Sequence, residues 1–243
     1  ISRFAATTYD EYMDAFKKLT SQGMQQMILD LRGNPGGLLN SAVDFADEFL
    51  EDGKEIVYTE GRMQPKRIFT ASSQGNFEKQ KLLILIDEGS ASASEIIAGA
   101  IQDNDRGTIV GRRSFGKGLV QEQAELSDGS ALRLTVARYF TPTGRCIQRS
   151  YTNGTEAYYN EEFARYEHGE LQHADSVQVI DSLKYKTPGG KIVYGGGGIM
   201  PDVFVPIDTT GHSAFLSQII FAGLISQYAF DYANKKTKIF ILK

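Results

Sequence analysis

Leu82-Leu83-Ile84-Leu85-Ile86-Asp87-Glu88-Gly89-Ser90-Ala91-Ser92-Ala93-Ser94-Glu95-Ile96-Ile97-Ala98-Gly99-Ala100-Ile101 is the stretch on which the fold turns. Its first five residues form an unbroken apolar run of the length of a buried strand. From Ala93 the period changes: Ala93, Ile96, Ile97, Ala100 and Ile101 fall at i, i+3, i+4, i+7 and i+8, one face of a helix. The small residues between them make a turn. Strand, tight turn and helix in succession are the unit of an α/β fold with parallel strands.

The flanks repeat the unit. Upstream, Thr7 or Thr8 can cap a helix over residues 9–21, with Tyr12, Met13, Phe16 and Leu19 at helical spacing. A strand over 24–31 ends in Asp30-Leu31-Arg32, and Gly33-Asn34-Pro35-Gly36-Gly37 is a turn. Residues 38–50 predict an amphipathic helix that buries Leu39, Ala42, Val43, Phe45, Ala46 and Leu50. Short strands are expected over 56–59, 67–70 and 108–111. Residues 119–126 and 131–140 predict a hairpin across Ser127-Asp128-Gly129-Ser130. Between 151 and 191 the periodicity fades among Tyr, Glu, His and Asp, which predicts a surface insertion. The run Gly195 to Gly198 follows, and a last helix is expected over 214–233.

Composition limits the function classes. The chain has 243 residues and is 41% hydrophobic, enough for one full core or a core with a small appendage. A net charge of −4 offers no basic excess for nucleic acid, and no apolar stretch reaches the length of a membrane span. Cys146 is the single cysteine, so no intrachain disulfide or multi-cysteine metal site is available. The start, Ile1-Ser2-Arg3-Phe4, reads as a cut from a longer protein at or inside a strand, and the end follows an apolar run at 239–242. His168, His173 and His212 lie in the last third without a metal-binding spacing and are expected at the surface.

Chemistry concentrates at two places. A serine at a strand-to-helix turn sits near unpaired N–H groups and the positive end of the helix dipole, which favours a developing oxyanion. Ser90, Ser92 and Ser94 all qualify, and all three also suit plain helix caps. The second place is Gly116-Lys117-Gly118. A lysine acts as a general base only where burial or nearby positive charge lowers its pKa from ~10.4. Gly111 to Lys117 also matches the phosphate-loop spacing G-x-x-x-x-G-K, but Gly118 stands where Ser or Thr would hold magnesium and the next residues look like a strand. The Gly33 to Gly37 turn could offer further backbone donors.

Taken together, Leu29-Asp30-Leu31-Arg32-Gly33-Asn34-Pro35-Gly36-Gly37, Gly89 to Ile96, Ser114-Phe115-Gly116-Lys117-Gly118-Leu119-Val120-Gln121, Asp128-Gly129-Ser130-Ala131-Leu132, Tyr139 to Arg145 and Gly198-Ile199-Met200-Pro201-Asp202 resemble the C-terminal processing peptidases (tail-specific proteases) of the S41 serine peptidase family. The resemblance runs in the family's order over roughly residues 1 to 205. It implies an α/β, crotonase/ClpP-like core of stacked sheets and helices, with an additional β hairpin and a C-terminal extension. It also implies Ser92 as nucleophile, Lys117 as general base, Gln121 as the residue orienting the lysine, and the N–H groups of Gly37 and Ala93 as the oxyanion hole. Asp103 matches an acidic position that some members need, and a structural role is expected for it. The whole of 1–243 is expected to be catalytic core, with 151–191 as an insertion and without the PDZ domain that holds substrate tails in this family. No cofactor or metal is implied. The expected partners are protein or peptide substrates, with room for a homo-oligomer, at a periplasmic or other extracytoplasmic location. The competing expectations are an inactive peptide-binding or scaffold protein of the same fold and an acyl-CoA enzyme on a related core. Hydrogen-bond reach of ~3 Å between Ser92 Oγ and Lys117 Nζ would mark a resting dyad.

Overall fold

A computed structural model describes residues 1–210 and 213–241. It divides into two units, Ile1–Pro206 and Ile207–Lys243. The first has the expected α/β architecture. Strands β1 (Gln26–Asp30), β4 (Lys81–Ile86), β5 (Thr108–Gly111) and β10 (Val203–Phe204) form a parallel sheet in the order β1-β4-β5-β10. Strands β2 (Glu55–Glu60), β3 (Arg67–Thr70), β6 (Leu119–Glu125) and β7 (Ala131–Phe140) form an antiparallel sheet in the order β3-β2-β7-β6. The expected hairpin is β6–β7, and Gly129 supplies its positive φ of 84°.

Helix α1 (Thr8–Ser21), helix α2 (Leu39–Asp47) and helix α3 (Ala93–Asp103) build the core with the parallel sheet. Ala42, Phe45, Ala46 and Leu50 are buried as expected, and Phe4, Phe16, Phe49 and Phe77 join them in one aromatic cluster with Tyr12. Helix α3 departs from the one-faced pattern expected of it. All eleven of its residues are buried, against α2, β2 and β5. Its small residues allow this: a Cβ at Gly99 would come within 2.7 Å of Thr141.

The far end of α3 is pinned by charge. Asp103 and Arg145 are both fully buried, with Arg145 Nη2 2.6 Å from Asp103 Oδ1. Asp103 also accepts from the Thr143 hydroxyl and amide, at 2.7 and 3.1 Å. Because α3 is eleven residues long, this pair lies roughly 15 Å along the helix from Ser92, so Asp103 holds structure and does not touch the site. Asp103→Ala strands a buried guanidinium. It is expected to cost about 3 kcal/mol of stability, read from the shift of the urea unfolding midpoint.

Two expectations need correction. Residues 151–191 contain helix α4 (Gly154–Glu167), two 3-10 turns and the hairpin of β8 (Lys184–Lys186) and β9 (Ile192–Tyr194). This stretch is not merely a surface appendage, because Tyr158, Arg165, Glu170, Leu171 and Thr187 within it are buried. Its buried side is largely polar, so hydrophobic periodicity could not reveal it. In the second unit the expected single helix is two: α5 (Ala214–Phe221), capped by Ser213 Oγ accepting from Leu216 N at 3.1 Å, and α6 (Leu224–Ile241). Gly223, at φ 67°, ends the first.

Candidate active site

The three serines separate by what they touch. Ser90 and Ser94 are fully buried, and their hydroxyls donate to the Leu31 and Asn34 carbonyls at 2.8 and 3.0 Å. They tie the strand-to-helix turn to the Gly33–Gly37 turn. Ser92, between them, is half-buried and faces a cavity of about 700 Å³. Its backbone sits at φ 57°, ψ −112°, a conformation rare for a residue with a side chain and of a kind concentrated at functional sites.

The glycines let the second turn close on this serine. A Cβ on Gly36 would lie 2.7 Å from Ser92 Cβ and 2.8 Å from Ala93 N; one on Gly37 would lie 1.9 Å from Phe4 O. Asn34, wholly buried, holds the turn by accepting from Gly36 N at 2.9 Å and donating to Ile1 O at 3.1 Å. The amides of Gly37 and Ala93 both border the cavity, and neither has an acceptor among the described residues. Two unpaired donors beside one hydroxyl form a place for a developing oxyanion.

Lys117 and Gln121 border the same cavity, so all five expected residues meet there. No hydrogen bond joins Ser92 Oγ to Lys117 Nζ, or Gln121 to Lys117, among the described residues. Catalytic hydrogen bonds commonly tighten only with substrate bound. Gln121 is exposed on β6, where the pairing with β7 slips between Val120 and Gln121. Arg3 and Arg133 also line the cavity and no carboxylate does, a field that favours developing negative charge. The strand after Lys117 is β6, so the phosphate-loop reading lacks the helix it requires.

Two residues beyond the expected five matter here. Glu95 is completely buried, and its carboxylate accepts from Ser92 N (2.8 Å), Lys117 N (2.9 Å), Gly116 N (2.7 Å) and Ser114 Oγ (2.5 Å). Burial pushes this carboxyl up from its ordinary value, while the Ser114 hydroxyl and the three amides pull it back. Three of the four neighbours are amides that can only donate, an arrangement that favours the ionised form. One carboxylate thus couples the backbone of the serine to the backbone of the lysine. The signal was available in the spacing Ser92-x-x-Glu95, that of a capping box. The second residue is Tyr139, which is buried, borders the cavity and donates its hydroxyl to the Lys117 carbonyl. Burial, and then the Glu95 charge, raise its phenol well above the ordinary range. The motif Tyr139 to Arg145 contained it, but nothing in that motif marked a role for it at the site.

His168 and His173 are exposed, as expected, and His212 lies outside the described residues. No cluster of three or more metal-binding side chains occurs among the described residues. No helix of the described residues is long and apolar enough to cross a membrane.

A family model described as "Peptidase family S41" matches residues 1–157. The chain is 47% identical over 149 residues to a carboxyl-terminal-processing protease of Synechocystis sp., covering 61% of this chain and 34% of the relative. It is 45% identical over 151 residues to a carboxy-terminal-processing protease of Bartonella bacilliformis, covering 60% and 35%. A solved structure of a photosystem II D1 C-terminal processing protease superposes with a TM-score of 0.60 at 30% identity, over 85% of this chain and 41% of that one. The chain therefore spans about a third of the length of the curated relatives it matches.

Proposed function

Because the chain belongs to peptidase family S41, we propose that it is a serine endopeptidase that cleaves protein substrates selected by their C-terminal tails, with Ser92 as nucleophile and Lys117 as general base. The observation that carries this reading is the meeting of a strained, cavity-facing Ser92 with the two unpaired amides of Gly37 and Ala93. Lys117, uncharged, takes the Ser92 hydroxyl proton as Oγ bonds to the scissile carbonyl carbon, and the carbonyl oxygen becomes an oxyanion between the two amides. Collapse breaks the C–N bond, and the lysine ammonium gives its proton to the departing amine. Water then attacks the acyl-enzyme, with Lys117 taking its proton and returning it to Ser92 Oγ. Gln121 orients the lysine when substrate closes the cavity. No cofactor enters these steps.

Residues 1–243 serve in this reading as the catalytic region, with 151–191 inserted into it. The relatives' names and the family support protein substrates; the extracytoplasmic location is what the resemblance implies. The missing Ser92–Lys117 hydrogen bond is what favours the alternative, a catalytically silent binding protein of the same fold. A fluorophosphonate reagent separates the two. It is expected to modify wild-type protein on Ser92 and to leave Ser92→Ala unmodified, read by intact mass and peptide mapping. Unmodified wild type, or equal modification of both proteins, overturns the proposal.

A further inference from the structure

The loop that presents Lys117 is held from two sides. From the core side, Glu95 takes its amides and Tyr139 donates to the Lys117 carbonyl. The other side belongs to the insertion. Arg165, on α4 and only 4% exposed, donates from Nη1 to the Ser114 carbonyl at 2.8 Å and from Nη2 to the Phe115 carbonyl at 3.4 Å. It is the only donor to either carbonyl among the described residues. Arg149 donates its amide to the Gly116 carbonyl at 3.0 Å. Its guanidinium lies 3.9 Å over the Phe115 ring and 4.4 Å over the ring of Tyr158 on α4. Glu161 and Glu170 balance the buried cations: Glu161 lies 3.0 Å from Arg165, and Glu170 lies 2.6 Å from Arg113.

We propose that helix α4 acts through Arg165 as a brace that positions Lys117 for proton transfer, so that residues 151–191 tune the rate of the reaction. The inference rests on the Ser92–Lys117 reading. The physical reason is that removing Arg165 leaves the buried Ser114 carbonyl and the part-buried Phe115 carbonyl without donors. Their peptide units then turn toward other partners, and the lysine two to three residues on moves with them. A displacement of about 1 Å in a reacting group can cost on the order of 10²-fold in rate.

The test compares full-length Arg165→Met, Arg165→Lys, Thr187→Val and Lys117→Ala with wild type. The readouts are kcat and KM on an unfolded protein, the rate of Ser92 phosphonylation by a fluorophosphonate, and the unfolding midpoint. Arg165→Met is expected to lower kcat and the phosphonylation rate together by about 10²-fold, with KM within about twofold. Arg165→Lys keeps the charge but not the planar fork and is expected to recover part of the loss. Thr187→Val cuts a second anchor of the insertion, remote from the lysine loop, the 2.8 Å bond from Thr187 Oγ1 to Asp105, and is expected to lower stability while leaving kcat unchanged. Wild-type kcat and phosphonylation in a folded Arg165→Met, with only a lower midpoint, overturn the brace. So does a loss confined to KM. If Arg165→Met does not fold, a kcat for Arg165→Lys within twofold of wild type overturns it. An active Lys117→Ala instead overturns the dyad reading, whatever the Arg165 variants do.

Discussion

Ser92→Ala and Lys117→Ala are each expected to lower kcat/KM on an unfolded protein substrate by roughly 10⁴-fold or more, and the double variant is expected to fall no further. In the proposed mechanism the two residues act on one proton. Without the hydroxyl there is nothing for the amine to deprotonate, and without the amine the hydroxyl stays a weak nucleophile. The two free amides remain in both variants, so each keeps the residual rate that oxyanion stabilisation alone supplies. Folding should survive. Ser92 is half-buried, its neighbours Ser90 and Ser94 carry the bonds to the facing turn, and the Lys117 ammonium has no ion pair among the described residues. Unchanged unfolding midpoints would therefore accompany the loss. Full activity in either single variant, or additive losses in the double, would assign the chemistry elsewhere.

Glu95→Gln is expected to be nearly as damaging, by a different route. The carboxylate oxygens share four donors, two on each side chain oxygen. A carboxamide keeps one oxygen and turns its NH2 toward two groups that themselves donate. Two charge-assisted hydrogen bonds disappear, each worth about 1.5–3 kcal/mol, so the variant should lose on the order of 4 kcal/mol of stability. Because the weakened pair is either Ser92 N with Lys117 N or Gly116 N with Ser114 Oγ, the turn of the serine or the loop of the lysine loses its tie to Glu95, and kcat should fall by roughly 10²-fold in whatever protein remains folded. Thermal unfolding and turnover measured well below the midpoint separate the two effects. Retention of both properties would mean that Glu95 is protonated in the fold, because a neutral carboxyl is what glutamine imitates.

The legible parts of this molecule were those whose signal is local. Strand β4 and helix α3 announced themselves through a change of apolar period, β6 and β7 through a turn bounded by alternating residues, and α2 through its apolar face. The site's five expected residues depended on motif order, since Ser90, Ser92 and Ser94 are equivalent to any rule about helix caps. What distinguishes them is long-range: two donate to carbonyls 59 and 60 residues away, and the third does not. Glu95 was written into the serine motif but looked like a helix-opening acid. Helix α4 was missed because its buried residues are few and mixed: Arg165 lies against glutamate and backbone carbonyls, and Tyr158 against Arg149 and the rings of Tyr151 and Phe115. A mixed interior of that kind leaves no periodic trace. The break at Gly223 was missed because the apolar residues on either side continue without a gap.

The sequence distance across the lysine loop has a consequence in time. Arg165 lies 51 residues beyond the Ser114 carbonyl it holds. A chain made from its N-terminus at about 5–20 residues per second releases the serine and the lysine several seconds before that arginine exists to join them. During synthesis the unfinished chain carries Ser92 and Lys117 with the lysine loop held only from the core side, by Glu95 and Tyr139. On the proposed reading, such a chain meets its neighbours on the ribosome while its site is formed but still slow.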